Sequence, residues 1–133
     1  MKAIFQTFLF AVLCSSCFLP NGSQSNPEVW EDNKKNLQNI VDRVLLNPEK
    51  FEEGENLIPE DLNFSYDKTF DIKGNLKDKN DLKITFYTDR GLIDHYSAII
   101  YTTQKGLIKQ LDENVKNGGN DFKLQNNWYA IND

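Results

Sequence analysis

The 133-residue chain has no cysteine beyond two positions near its N-terminus, Cys14 and Cys17. If processing removes residues 1–16, only Cys17 remains, and no intramolecular disulfide can form. Small secreted domains often rely on such bridges. We therefore expect residues 17–133 to be stabilised by apolar burial, or to work outside the open extracellular medium. Their length is enough for one modest hydrophobic core.

Histidine is almost as scarce, since His95 is the only one in the chain. A metal site built on several histidines is thereby excluded, and no cysteines remain to replace them. The carboxylate-rich stretch Glu49–Glu55 lacks the alternating Asp, Asn and Gly ligands of an EF-hand loop. It is typical of a solvated turn. We expect no metal and no cofactor.

An excess of positive charge is also missing, because 15 Lys and Arg face 20 Asp and Glu, for a net charge of −5. Removal of a leader containing Lys2 would make the charge −6. Nucleic-acid binding requires a basic face, so nucleic acid is not an expected partner. Electrostatic adhesion to anionic lipids is disfavoured for the same reason.

The longest apolar stretch, Ala3–Leu13, follows Met1-Lys2 and is broken only by Gln6 and Thr7. It is shorter than the roughly 20 residues that a membrane-spanning helix needs. A positive residue before a short apolar core is typical of a secretory signal peptide. We predict that residues 1–16 are this signal peptide.

The leader ends in Cys14-Ser15-Ser16-Cys17, and in this it resembles bacterial lipoproteins. Ser15 and Ser16 match the small residues that precede the lipid-modified cysteine, whereas Cys14 stands where leucine is usual. The resemblance is limited to residues 1–17. It implies lipidation of Cys17, cleavage before it, and attachment to the bacterial cell envelope on its periplasmic or surface face. The alternative is ordinary cleavage between Ser16 and Phe18, which gives a soluble secreted protein.

Residues 17–26 are rich in Pro, Gly, Ser and Asn, a composition that cannot bury enough surface to fold. They are predicted to form a flexible tether, although a plain disordered terminus would look the same. Residues 27–133 are predicted to form a single domain.

The domain opens with a helix, for which Asn26 is the predicted cap and Pro27 the first helical residue. A 3.6-residue apolar stripe runs from Leu37 to Leu45, and Asn47-Pro48 ends the helix. An acidic turn segment follows over Glu49–Glu60. Its expected packing residues are Phe51, Leu57 and Ile58.

Alternating apolar and polar residues then predict strands. They cover Leu62–Ile72 with a bend at Asp67-Lys68, Leu82–Thr88, a central strand at Tyr96–Thr103, and Phe122–Ile131 as one or two strands. Helical spacing from Leu107 to Val115 predicts either a short second helix or an irregular connection. The expected fold is α+β: an N-terminal helix on one face of a curved antiparallel sheet of four to five strands.

Two groups of residues are candidates for a site. Asp94 and His95, with Tyr96, could serve a small enzyme, but neighbours along a strand point to opposite faces, which favours a polar strand edge. Tyr87, Tyr101 and Tyr129 could form an exposed aromatic face for a partner, since tyrosine is enriched at interfaces. A core role for these tyrosines is the favoured interpretation.

These observations favour a lipid-anchored envelope protein that binds a macromolecule, in particular a protein partner, without catalysis. The sheet face and its loops, including Asp89–His95, are the expected contact region. One version is an immunity-type inhibitor whose acidic surface complements a basic toxin. The competing hypotheses are a small secreted enzyme with its site near Asp94 and His95, and a structural subunit of an envelope complex.

Overall fold

The computed structural model describes residues 25–62, 68–90 and 96–132. They form two helices and six strands: α1 (Asn26–Leu46), a 3-10 turn (Pro48–Lys50), β1 (Gly54–Leu57), β2 (Thr69–Gly74), β3 (Leu82–Arg90), β4 (Tyr96–Thr102), α2 (Lys105–Lys116), β5 (Phe122–Gln125) and β6 (Trp128–Asn132). The strands make one antiparallel sheet in the order β1-β2-β3-β4-β6-β5. The predicted α+β class is confirmed, with six strands in place of four or five.

Helix α1 begins one residue earlier than predicted. Ser25, and not Asn26, is the N-cap, and its backbone N–H donates to Glu28 Oε2 at 2.9 Å. Asn26 lies in the first turn with its side chain directed inward and is only 3% exposed. Asn26 therefore belongs to the folded domain, one residue before its predicted start at residue 27.

The apolar stripe of α1 packs on one face of the sheet, as its spacing predicts. Its four fully buried members are Leu37, Ile40, Val41 and Val44. Burial of each such side chain stabilises the fold by about 1.5–3 kcal/mol relative to leaving it exposed. They meet Phe70, Ile72, Leu82, Ile84, Phe86, Ile99 and Trp128 from the strands.

Trp128 joins α1 to the sheet through both packing and a hydrogen bond. Its ring lies 4.8 Å from that of Trp30, and its Nε1 donates to Gln38 Oε1 at 3.1 Å. Phe86 stacks on the same indole at 6.1 Å. The polar edge of the buried indole is thus satisfied while its rings fill the core.

Strand β4 is internal, between β3 and β6, as its apolar residues on both faces predicted. Ile99 faces α1, whereas Ala98 and Ile100 face the opposite side with Tyr129 and Ile131. Helix α2 covers that opposite side through Leu111, which is buried, and through the partly buried Leu107 and Val115. A helix therefore packs on each face of the sheet: α1 on one face, as predicted, and α2 against β4 and β6 on the other.

Strand β1 is absent from the sequence-based prediction, which placed an irregular turn over Glu49–Glu60. Its four residues pair with β2 from Gly54 opposite Ile72 to Leu57 opposite Thr69. The segment carries one apolar side chain, so it has no alternation to detect. That side chain, Leu57, is 77% exposed and is not the packing residue expected, whereas Ile58 and Phe51 do pack on the core.

Strands β2, β5 and β6 account for the two remaining strand predictions. Of the strand predicted over Leu62–Ile72, the part from Thr69 is found in β2, and residues 63–67, including Asp67 of the predicted bend, lie outside the described ranges. Residues 122–131 form a hairpin of β5 and β6, which is the two-strand alternative of the prediction. Asn127 takes a left-handed backbone conformation, with φ of 66°, that reverses the chain.

Candidate binding surface

The three tyrosines considered for an exposed face, Tyr87, Tyr101 and Tyr129, lie on different faces of the sheet. Tyr101 lies on the α1 face with its ring edge-on to Trp128 at 5.2 Å, whereas Tyr87 and Tyr129 pack on the α2 face. Tyr129 is 1% exposed and offers almost no surface to a partner. Alternation along the strands places Tyr101 on the opposite face from Tyr87 and Tyr129. A role in core packing therefore describes these tyrosines better than an exposed aromatic face does.

The other predicted site residues fall outside the described ranges. These are Cys17, Asp94 and His95. Asp94 and His95 come between β3 and β4 in the sequence, and these two strands pair with a register shift between Tyr87 and Asp89. Tyr96, the first residue of β4, packs edge-on against Tyr87 at 5.8 Å.

Two depressions among the described residues are shallow and open to solvent. One, of about 390 Å³, runs between α1 and Gln125 of β5 and is lined mainly by polar side chains such as Lys34, Lys35 and Asp42. Another, of about 440 Å³, lies along the acidic first turns of α1. In the described ranges, His, Cys, Asp and Glu side chains form no group of three that could hold a metal ion. Neither described helix is both long and apolar enough to span a membrane.

The negative charge of the protein is concentrated in one part of the fold. Glu49–Asp61, here called the acidic segment, carries six of the 20 acidic residues and only one of the 15 basic residues. The rest of the chain thus has 14 residues of each sign, so the acidic segment accounts for the entire net charge of −5. All six carboxylates are exposed. Composition alone could have revealed this asymmetry if the charges had been counted by segment.

The acidic segment is held in shape by its own hydrogen bonds. Asn56 Nδ2 donates to the carbonyls of Glu52 and Gly54 at 2.8 and 2.9 Å, and Asn56 Oδ1 accepts from the Glu52 N–H at 3.1 Å. Phe51 packs on Phe70 with ring centres 6.1 Å apart. The carboxylates of Glu52 and Glu53 therefore project from an ordered turn.

Arg43 fastens the other end of the acidic segment to α1. Its guanidinium makes two hydrogen bonds to the Asp61 carboxylate, at 2.6 and 3.1 Å, and its Nε donates to Asn39 Oδ1 at 2.7 Å. The hydrogen bonds from Arg43 lower the pKa of Asp61. Asp61 is thus neutralised within the protein, and the exposed glutamates are the larger part of the charge that a partner would meet.

On the face of the sheet opposite α1, two lysines lie directly across from each other where β2 and β3 pair. These are Lys73 and Lys83. Partial burial lowers the pKa of Lys83, and the charge of Lys73 lowers it further, while Asp71 opposes the shift. Because Asp71 and its own cross-strand neighbour Glu55 lie on the same face, the local charge is mixed.

A cluster of three polar side chains joins α2 to the β5–β6 hairpin. The carboxylate oxygen Oδ1 of Asp112 accepts from Lys123 Nζ and from the Tyr129 hydroxyl, each at 2.8 Å. The hydrogen bonds from Lys123 and then Tyr129 lower the pKa of Asp112. Burial, and then the bond to Asp112, raise the pKa of Tyr129. The three groups satisfy one another, which indicates a structural role.

This cluster predicts a pH-dependent contribution to stability. The folded-state pKa of Asp112 is below its unfolded value, so its contribution is present above the unfolded pKa, about 3.9, and is lost as pH falls through the folded pKa. Asp112→Asn should lower the free energy of unfolding at pH 7, and its difference from wild type should shrink below about pH 4. Urea titrations across this pH range measure the effect. Glu113→Gln, on the exposed side of the same helix, is the control, and an equal pH dependence in both variants would contradict the assignment.

Comparison of the chain with protein-family models, with curated protein sequences and with solved structures finds no match in any of the three.

Proposed function

We propose that this protein is a lipid-anchored envelope protein that binds a protein partner without catalysis, and that the acidic segment is its contact surface. The anchor is inferred from the leader and from Cys17. The location of the charge is the observation that supports the contact surface. After removal of a leader containing Lys2, the acidic segment holds five of the six net negative charges. Such a surface steers a partner of opposite sign toward itself and disfavours partners of like sign.

The shape of the acidic segment supports the same proposal. Its turn is preorganised by Asn56 and by the packing of Phe51, so little conformational entropy is lost when a partner binds. Leu57 projects from the same face of β1 as Glu55, with most of its surface exposed. An apolar side chain within a polar rim is the common arrangement of a protein interface. The partner chemistry that fits is a basic surface with an apolar pocket.

The experiment is an affinity capture from detergent-solubilised membranes with the tagged full-length protein. Glu49→Lys, Glu52→Lys and Glu53→Lys together should reduce recovery of the partner by about tenfold or more, because close charge pairs across an interface contribute about 1.5 kcal/mol or more. The control changes Glu31, Asp32 and Asp42 to lysine. It alters the net charge equally, on the exposed face of α1.

The proposal requires three results together. The captured protein must carry a basic surface, its recovery must fall as salt is raised, and the control variant must retain it. Equal loss in both variants would indicate a general charge effect and would overturn the contact surface.

A further inference from the structure

The start of the folded domain is attached to one end of the sheet. Asn26 Nδ2 donates to the Ile131 carbonyl at 3.0 Å and to Asn132 Oδ1 at 2.9 Å, and Asn26 Oδ1 accepts from the Thr88 hydroxyl. Ser97 Oγ donates to the same Asn132 oxygen at 3.0 Å. The chain therefore enters the domain where β3 and β6 end and β4 begins, which we call the tether end of the sheet.

The opposite end, here called the distal end, carries the β2–β3 loop. There Gly74 pairs with Leu82, and the Leu82 carbonyl accepts from Thr102 Oγ1 and from the Thr103 N–H, both at 2.9 Å. Strand β3 connects the two ends with nine residues, a length of about 27 Å. The ordered turn of the acidic segment lies in the distal half, since Gly54 pairs with Ile72 in the row of Ile84, Tyr101 and Trp128.

Covalent geometry limits where a lipid on Cys17 can hold this domain. Eight residue steps separate Cys17 from Ser25, and such a chain spans at most about 28 Å when fully extended. The root-mean-square span of a flexible chain of that length is only about 15 Å. The domain could turn its distal end to the bilayer and its tether end away only if the connection were nearly straight, at a large loss of conformational entropy.

We infer that the domain stands with its tether end toward the membrane and presents the turn of the acidic segment to the aqueous compartment. This orientation rests on the proposed lipidation of Cys17. It deepens the proposed function, because a basic partner then approaches from the water and not from within the bilayer. Asp89 and Asp121 at the tether end oppose adhesion to anionic headgroups, so the lipid and its connection are the attachment that we propose.

Single introduced cysteines can measure this orientation, because the chain contains no cysteine after Cys17. Asn120→Cys places a thiol at the tether end, since the Asn120 carbonyl accepts from Asn132 Nδ2. Lys79→Cys places one in the exposed β2–β3 loop at the distal end. Each variant, purified from membranes with its lipid, is labelled with a fluorophore and reconstituted in phosphatidylethanolamine–phosphatidylglycerol vesicles that carry a nitroxide on the headgroup.

The label at residue 120 should be quenched at least about threefold more than the label at residue 79, because the two ends differ in height by roughly 27 Å. Equal quenching, or stronger quenching at residue 79, would overturn the orientation while leaving the anchor intact. Cys17→Ser in each background should abolish vesicle binding. Vesicle binding that persists in that variant, or is lacking in the protein with Cys17, would instead overturn the anchor and the orientation with it. Unchanged fluorescence of Trp30 and Trp128 verifies that each variant is folded.

Discussion

Gly74→Ala should destabilise the domain by about 4 kcal/mol or more, which is at the upper limit for a single substitution. Gly74 has a φ of 107°, and a Cβ placed there would lie 2.0 Å from the carbonyl oxygen of Asp81. That oxygen accepts the Asn75 N–H at 2.9 Å and so closes the β2–β3 loop. Because the backbone of Asp81 cannot move aside as a flexible side chain can, the β2–β3 loop must open to accommodate the added Cβ.

The damage should extend to α2 because Asp81 also holds the start of that helix. Asp81 Oδ1 accepts from Gln104 Nε2 at 2.8 Å, and Gln104 is the N-cap residue. Thermal unfolding followed by the fluorescence of the buried Trp30 and Trp128 should show a midpoint lowered by about 15 °C or more.

Gly54→Ala is the matched control for this prediction. Gly54 has nearly the same backbone angle, φ of 102°, but an added Cβ would meet no atom within 4 Å. The destabilisation caused by Gly54→Ala then comes from the unfavourable backbone conformation alone, at about 1–2 kcal/mol. If the two variants lost the same stability, the contact with Asp81 would not be the cause.

Asn26→Ala is expected to have the second largest effect, about 3 kcal/mol. The substitution removes two hydrogen bonds donated to Ile131 and Asn132 and one accepted from Thr88. Buried polar groups left without a partner cost about 1–3 kcal/mol each, although the Thr88 hydroxyl can turn to another acceptor. The loss should be visible as a lower urea midpoint with an unchanged slope.

Asn33→Ala tests whether the loss of stability depends on the position of Asn26 or would follow from replacing any asparagine of α1. Asn33 lies on the same helix and donates one hydrogen bond, to the Val29 carbonyl of its own helix at 2.9 Å. Alanine is the better helix former, so this variant should stay within about 0.5 kcal/mol of wild type. A similar loss at both positions would show that Asn26 does not join the helix to the sheet as described.

The sequence contains the local information that sets α1, most of the strands and the central position of β4. The stripe from Leu37 to Val44 and the two-faced apolar character of Ile99 and Ile100 are periodic signals, and both are buried as expected. The α+β class follows from the order of these elements. Local periodicity is sufficient there because each element buries its own apolar face.

Only the tertiary structure decided the remaining features. Strand β1 forms because β2 offers it an edge, although its own residues carry no alternating pattern. Asn26 resembles a helix cap in sequence, yet it hydrogen-bonds to residues 105 and 106 positions away. Tyr101 and Tyr129 both lie in strands next to apolar residues, but the register of β4 and β6 puts them on opposite faces. Pairing partners and long-range hydrogen bonds depend on where distant segments meet, and no pattern within one segment encodes that.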